Sequence, residues 1–238
     1  MKTPRVLLFD IETFPNIGYC WGRWEQNIIK FVRQWELASF AYKELGKPKV
    51  TCFSRKNMTE KRLVKKLYDM YNSADVLIAH NGDQFDIKKA KAKFIEFGFN
   101  PSVLNKSVDT KKIAKSQFAF NSNSLNDIGE TLGLGKKIDT GGFDLWLNCM
   151  NNDRASWNLM EKYNIQDVRL LEKVYMKLRS WMPNHPNLSL YEKRPGCAVC
   201  KSTRMQYRGF TTTPKKLKRR VVCLDCGKWD TVMVKKVK

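Results

Sequence analysis

At 238 residues the chain can hold one mid-sized domain with a full core and a small second module, or two small domains. A hydrophobic content of 42% and an aromatic content of 12% exclude extensive disorder. The 44 Lys and Arg against 23 Asp and Glu give a formal charge of +21, which points to a polyanionic partner, since phosphate binding releases counterions from such a surface.

No run approaches the ~20 apolar residues needed to span a bilayer. The N-terminus enters the first strand without the apolar region of a signal peptide. The expected setting is intracellular and cytoplasmic, with no membrane partner.

The first element is the run Val6-Leu7-Leu8-Phe9-Asp10-Ile11-Glu12-Thr13 between Pro4 and Pro15. Consecutive apolar residues predict a strand buried on both faces, and strand alternation puts Asp10 and Glu12 on the same side. Two carboxylates that close repel unless a cation or a proton lies between them. Taken alone, such a pair is far more often an ordinary solvated strand end.

From Asn16 to Tyr42 the chain is rich in Trp, Tyr, Phe and Ile, including Trp21, Trp24 and Trp35. With Gly18 and Gly22 at turns and Val50 to Phe53 following, the segment predicts the remaining strands of a meander beside the first, its aromatics packing the sheet rather than stacking on bases. Met58 to Tyr71 repeats apolar residues at helical spacing behind Thr59 as a cap.

Ala74 to Ala79 predicts a second buried strand, ending in the turn His80-Asn81-Gly82-Asp83-Gln84-Phe85-Asp86 and a helix from Ile87 to Gly98. Polar residues at the carboxyl end of a buried strand occupy the place where open α/β sheets keep their sites. Ser107 to Asp109 predicts a short strand, followed by a helix through Phe118 and another from Ser124 to Leu132. The turn Gly133-Leu134-Gly135-Lys136-Lys137 lacks phosphate-loop spacing. Trp157 to Trp181 is the longest helical pattern, and on it Tyr163 and Asp167, four apart, share a face. Pro183-Asn184-His185-Pro186-Asn187 breaks it.

Asp10 with Glu12, Asp86, and Asp167 with Tyr163 call for a common explanation. Four carboxylates can hold two hard cations, Mg2+ or Mn2+, roughly 4 Å apart around one scissile phosphate. The sequence here resembles the DEDD exonuclease superfamily, DnaQ-like with a ribonuclease H-like fold. Its Asp-x-Glu motif matches Asp10-Ile11-Glu12, its Asn-x-x-x-Phe-Asp motif matches Asn81 to Asp86, and its Tyr-x-x-x-Asp motif matches Tyr163 to Asp167.

The three stand in the family's order and cover about residues 5 to 182. The tyrosine in the third resembles the DEDDy branch, which includes DNA polymerase proofreading domains. The resemblance implies an α/β fold with a mixed sheet flanked by helices. It also implies Asp10, Glu12, Asp86 and Asp167 as ligands of two Mg2+ or Mn2+ ions, and Tyr163 orienting the nucleophilic water. Asp83 and Asp109 match no motif position and are expected in a solvated turn or cap. His80 is expected to be structural.

Cysteine use separates the C-terminus from the rest. Cys20, Cys52 and Cys149 are scattered and are expected to be reduced packing residues. Cys197-x-x-Cys200 and Cys223-x-x-Cys226, twenty-two residues apart, supply four soft ligands in two knuckles and predict a zinc ribbon with one structural Zn2+. Between the knuckles lies a basic run containing Lys215, Lys216, Lys218, Arg219 and Arg220. It is expected to contact phosphate, with a solvated loop or a nuclear-localisation signal as alternatives. Tyr207, Phe210 and Trp229 suit either base stacking or the ribbon core.

The expected organisation is therefore an exonuclease domain over 1–182, a linker over 183–195 and a nucleic-acid-binding zinc ribbon over 196–238. The expected activity is stand-alone, metal-dependent 3′-to-5′ hydrolysis of terminal phosphodiesters. By the resemblance DNA is favoured over RNA, and any proofreading would act in trans. A structure-specific endonuclease, an exoribonuclease with the same metals, and an inactive nucleic-acid-binding adaptor are the alternatives.

Overall fold

A computed structural model describes residues 3–24, 27–214 and 216–234. The chain begins with β1 (Val6–Thr13) and passes through a hairpin of β2 (Ile17–Tyr19) and β3 (Lys30–Arg33). It returns as β4 (Leu37–Glu44) and β5 (Val50–Ser54), followed by α1 (Glu60–Asn72), β6 (Val76–Ala79), α2 (Asp86–Glu96), β7 (Lys106–Asp109) and α3 (Thr110–Gln117). Three further helices, α4 (Leu125–Thr131), α5 (Asp144–Met150) and α6 (Arg154–Leu178), precede the strands β8 (Met205–Thr213), β9 (Lys216–Cys223) and β10 (Trp229–Met233).

The central sheet has the order β5-β4-β1-β6-β7. β1 is antiparallel to β4 and parallel to β6, and β6 is parallel to β7. This is the mixed sheet flanked by helices that the motifs imply.

Strand alternation divides β1 between two cores. Leu7, Phe9 and Ile11 pack with Leu63, Leu67, Ala90 and Phe94 from α1 and α2. Val6 and Leu8 pack on the opposite face with Ile128, Val168, Leu171 and Val174 from α4 and α6. Asp10 and Glu12 continue this second face, so the rule that buries Leu8 beneath α6 also aims both carboxylates toward that helix. Burying side chains of this size contributes about 2 kcal/mol each, which holds the register.

The meander expected between Asn16 and Tyr42 forms only in its second half. β4 lies beside β1 and β5 beside β4 at the sheet edge, but β2 and β3 make a separate two-stranded sheet outside the core. Trp21 and Trp24, expected as packing residues, are 89% and 86% exposed, and Cys20 is exposed as well. Composition alone cannot tell an aromatic ribbon in water from a core strand. The sequence pattern also assigns no element between Lys137 and Trp157, where the structure places α5.

The capping expectation holds for α1, where Thr59 accepts from the Arg62 N–H; Ser124 caps α4 in the same way, accepting from the Asp127 N–H. Among the described residues no helix is long and apolar enough to cross a membrane.

The C-terminal sheet has the order β10-β9-β8 and meets the end of α6. Ser180 Oγ donates to the Cys226 carbonyl at 2.5 Å, and the buried Lys228 Nζ to the Met182 carbonyl at 2.6 Å. Within residues 183–195 a 3-10 turn, Leu188–Tyr191, buries Leu188 in the α6 core, and the Leu188 N–H donates to the Ala198 carbonyl at 2.8 Å.

Candidate active site

Carboxylates from distant parts of the chain meet where β1 passes under α6. Oxygens of Asp10, Glu12 and Asp167 all lie within 4.8 Å of one another. Asp86, the first residue of α2, comes in from the side: its Oδ1 accepts from the Ile11 N–H at 3.0 Å, fixing it to the backbone between the two β1 acids. The turn before it requires glycine at position 82, because a Cβ there would sit 2.4 Å from the Ala79 Cβ. Phe85 is partly exposed next to the cluster, and Asn81 adopts a φ of 69° as its N–H donates to Asp109 Oδ1 at 2.9 Å.

Two residues without an assigned role in the sequence reading complete the site. Asn164 is fully buried on α6, one turn before Asp167. Its Nδ2 donates to Asp10 Oδ2 at 2.7 Å, and its Oδ1 accepts from Ser39 Oγ at 3.4 Å. A polar residue on the apolar stripe of Met160, Val168 and Leu171 is the signal that marks it.

Lys137 reaches in from the turn after α4. Its Nζ donates to Asp167 Oδ2 at 2.5 Å and to the Tyr163 hydroxyl at 2.9 Å. The turn closes because Gly129 has no side chain: a Cβ there would lie 2.7 Å from the Gly135 carbonyl oxygen. Asn126 Oδ1 then accepts from the Lys137 N–H at 2.9 Å. No sequence signal singles Lys137 out, since its partner lies thirty residues away and the turn has no period.

The electrostatics are those of an under-neutralised cluster. Burial, then the charges of Asp86, Glu12 and Asp167, push the Asp10 carboxyl well above its usual range. Burial and Asp167 lift Glu12 to about 8, against smaller pulls from Lys137 and a Trp146 hydrogen bond. Burial lifts Asp86 to about 7, opposed by the N–H groups it accepts from. Asp167 is also raised, because burial outweighs the Lys137 ammonium. Lys137 itself is held above its ordinary value: burial works against the ammonium, but Asp167 and Tyr163 overcome it. One lysine therefore does not balance four carboxyls.

The donor set fits hard divalent cations. Every candidate ligand is a carboxylate oxygen, as Mg2+ and Mn2+ prefer. Asp167 Oδ1 is buried without a hydrogen-bond partner among the described residues, although an unpaired buried acceptor costs about 1–3 kcal/mol. A cation would remove that cost and the mutual repulsion together.

Tyr163 is almost buried, edge-on to Trp146 with ring centroids 6.2 Å apart, so its hydroxyl is aimed by packing as well as by Lys137. Asp109 caps α3 and accepts from the N–H groups of Asn81, Asp83, Lys111 and Lys112. It is a cap, as expected, but a buried one. His80 bridges Thr110 Oγ1 and the Asn123 carbonyl, both at 2.9 Å, tying β6 to α3 and to the entry of α4.

A family model of the RNase_H superfamily matches residues 7–179. The chain belongs to that superfamily. A DNA polymerase of Thermococcus litoralis is 32% identical over 83 residues, which are 35% of this chain and 5% of that protein. A DNA polymerase of Thermococcus aggregans is likewise 32% identical over 83 residues, 35% of this chain and 4% of its own length. The family B DNA polymerase from the hyperthermophilic archaeon Pyrobaculum calidifontis shares the fold, with a TM-score of 0.55 at 20% identity over 79% of this chain and 25% of that one. The match therefore takes in only a small part of each polymerase.

The second candidate centre of this RNase_H-superfamily chain is the C-terminal cysteine cluster. The sulfurs of Cys197, Cys200, Cys223 and Cys226 lie within 4.8 Å of one another, with Cys197 to Cys226 and Cys200 to Cys223 at 3.5 Å. Zinc–sulfur bonds of about 2.3 Å place tetrahedral sulfurs roughly 3.8 Å apart, so the cradle fits Zn2+. Burial raises Cys200, while the N–H groups of Cys226 and Asp225 overcome burial at Cys223 and bring it down to about 7, toward the thiolate that binds metal.

The basic run is a strand rather than a loop. Lys216, Lys218, Arg219 and Arg220 lie on β9, and Lys215 falls outside the described residues. On one face Arg219 lies opposite Phe210 and Val232, with its guanidinium 4.1 Å from the Tyr207 ring centroid. Tyr207, Phe210 and Trp229 are each about half exposed, so none is a closed core residue.

Proposed function

We propose that the chain is a metal-dependent 3′-to-5′ exonuclease that hydrolyses terminal phosphodiester bonds of nucleic acid, with DNA as the favoured substrate. Residues 1–182 would form the catalytic unit, 183–195 the joining segment and 196–238 a zinc ribbon that grips the substrate. The observation that carries the reading is the convergence of Asp10, Glu12 and Asp167 within 4.8 Å, with an unpartnered oxygen on Asp167. Superfamily membership and the similarity to DNA polymerases support nucleic acid, and DNA first, as the substrate.

In this mechanism Asp10, Glu12, Asp86 and Asp167 would hold two Mg2+ or Mn2+ ions. When bound, the ions lower the pKa of the attacking water and stabilise charge on the leaving oxygen. The chain's own residues do the positioning. Asn164 holds Asp10 Oδ2, and the Ile11 N–H holds Asp86 Oδ1, so neither carboxylate swings freely. The Tyr163 hydroxyl, aimed by Trp146 and Lys137, would orient the water in line with the phosphorus. On the ribbon, the exposed cations of β9 would hold phosphates away from the reacting bond.

End-labelled single strands and duplexes incubated with Mg2+ or Mn2+ test this reading. Stepwise shortening from the 3′ end, lost in Asp10→Ala, is the expected result. Internal cuts, or no hydrolysis, would overturn it.

A further inference from the structure

The β2–β3 hairpin contributes nothing to the cores described above yet carries the densest exposed apolar surface among the described residues. Ile17, Tyr19, Trp21, Trp24, Ile29 and Phe31 all face water. Its root is firm. The Phe14 N–H donates to the Glu36 carbonyl, and the Trp35 N–H to Asn16 Oδ1, both at 2.8 Å. Phe14 is buried edge-on against Trp157 of α6. Gly18 lets the two legs close, since a Cβ there would meet the Ile28 Cγ2 at 2.4 Å. Stable placement with its rings in solvent is what a docking arm requires, and single exposed apolar residues would not call for an occupant.

The position of the root and the charge of the arm identify that occupant. Both legs leave the sheet at the end of β1 and β4 that bears the acids, where Glu12 pairs with Ser39 and Thr13 with Leu37. Lys89 lies 3.7 Å from the Trp35 ring centroid and 5.7 Å from that of Phe85, so the root borders the turn that delivers Asp86. Trp21 lies nine positions after Glu12 in the chain, a reach of at most about 30 Å. Residues 16–34 hold Arg23, Lys30 and Arg33 against one acid, Glu25. Arg23 sets its guanidinium 5.6 Å from the Trp24 ring centroid, putting a phosphate-binding charge beside a plane on which a base can stack.

We propose that the β2–β3 hairpin is a stacking arm for single-stranded nucleic acid, with Trp21 and Trp24 receiving unpaired bases of the strand whose end lies at the carboxylate cluster. The proposal deepens the exonuclease reading and rests on it for the identity of that strand.

The full-length protein is tested as Trp21→Ala/Trp24→Ala and as Trp21→Phe/Trp24→Phe, against a thymidine 20-mer and against thymidine 5′-(p-nitrophenyl phosphate), which is too small to reach the arm. Loss of a stacking ring weakens single-strand binding by about tenfold. The alanine pair should therefore raise KM and the fluorescence-anisotropy Kd for the 20-mer at least tenfold, while p-nitrophenyl release stays within about twofold of wild type. The phenylalanine pair should stay within about threefold on both.

An unchanged 20-mer KM and Kd in the alanine pair overturns the arm. So does sedimentation showing a wild-type dimer that the pair converts to monomer without change in 20-mer affinity, because the hairpin would then bind a second copy. If wild type hydrolyses neither substrate, the exonuclease reading falls by itself. The arm then stands or falls on whether the alanine pair loses anisotropy binding.

Discussion

Lys137 Nζ stands 2.5 Å from Asp167 Oδ2, so a side chain from the turn after α4 supplies counter-charge to a cluster built by β1, α2 and α6. Removing one partner of such a pair leaves a carboxylate uncompensated. In EDTA, Lys137→Met should lower stability by about 2 kcal/mol, a figure reduced from the fully buried case because the lysine is 30% exposed. With saturating Mg2+ the difference should fall below about 1 kcal/mol, because the cation then provides the charge. Urea denaturation in the two buffers measures both quantities. Equal losses would assign Lys137 to packing.

Tyr163 shares that lysine, and its hydroxyl is the atom that the proposed mechanism uses. Tyr163→Phe keeps the edge-on contact with Trp146 and removes only the oxygen. Turnover of an end-labelled single strand should slow about tenfold to a hundredfold, with KM within about twofold. An unchanged kcat would remove Tyr163 from the chemistry.

The zinc ribbon makes a prediction that separates it from the acidic site. Replacing Cys223 and Cys226 by Ser leaves two sulfurs, too few to hold structural Zn2+. The double variant should lose about one zinc per chain by elemental analysis and bind a long single strand more weakly, with p-nitrophenyl ester hydrolysis little changed. Zinc retained in the variant would exclude these cysteines as its ligands.

The central sheet is legible in the sequence because its strands are short apolar runs with polar ends. Asp10, Glu12 and Asp167 stand out because each interrupts such a run or helical stripe, and Asp86 because it closes the polar turn that follows one, all at motif spacings. The rest depends on contacts that no local period encodes. Lys137 finds Asp167 only because Gly129 admits the Gly135 backbone, a fit of two glycines visible once α4 and its following turn are in place. Asn164 has a weaker local signal, a buried amide on an apolar stripe. The β2–β3 hairpin defeats pattern reading for the opposite reason: its residues suit a core strand, and what decides their exposure is that no strand or helix among the described residues covers them.

His80 gives the pH dependence of the scaffold. Burial is the largest influence on it and disfavours the imidazolium; Lys111 and Lys137 add to this, and the Asn123 carbonyl and Asp109 oppose it, leaving a value of about 4 against the ordinary 6.5. With its proton on Nε2, the neutral ring donates to the Asn123 carbonyl and accepts from the Thr110 hydroxyl. A depressed folded-state pKa means that the unfolded chain takes up a proton first as pH falls. The contribution is therefore complete above about pH 6.5 and is lost progressively toward pH 4, to a total of about 3 kcal/mol. Urea midpoints of wild type and His80→Gln across this window should converge as the pH drops, with wild type showing the steeper decline. Parallel curves would mean that His80 does not titrate with unfolding.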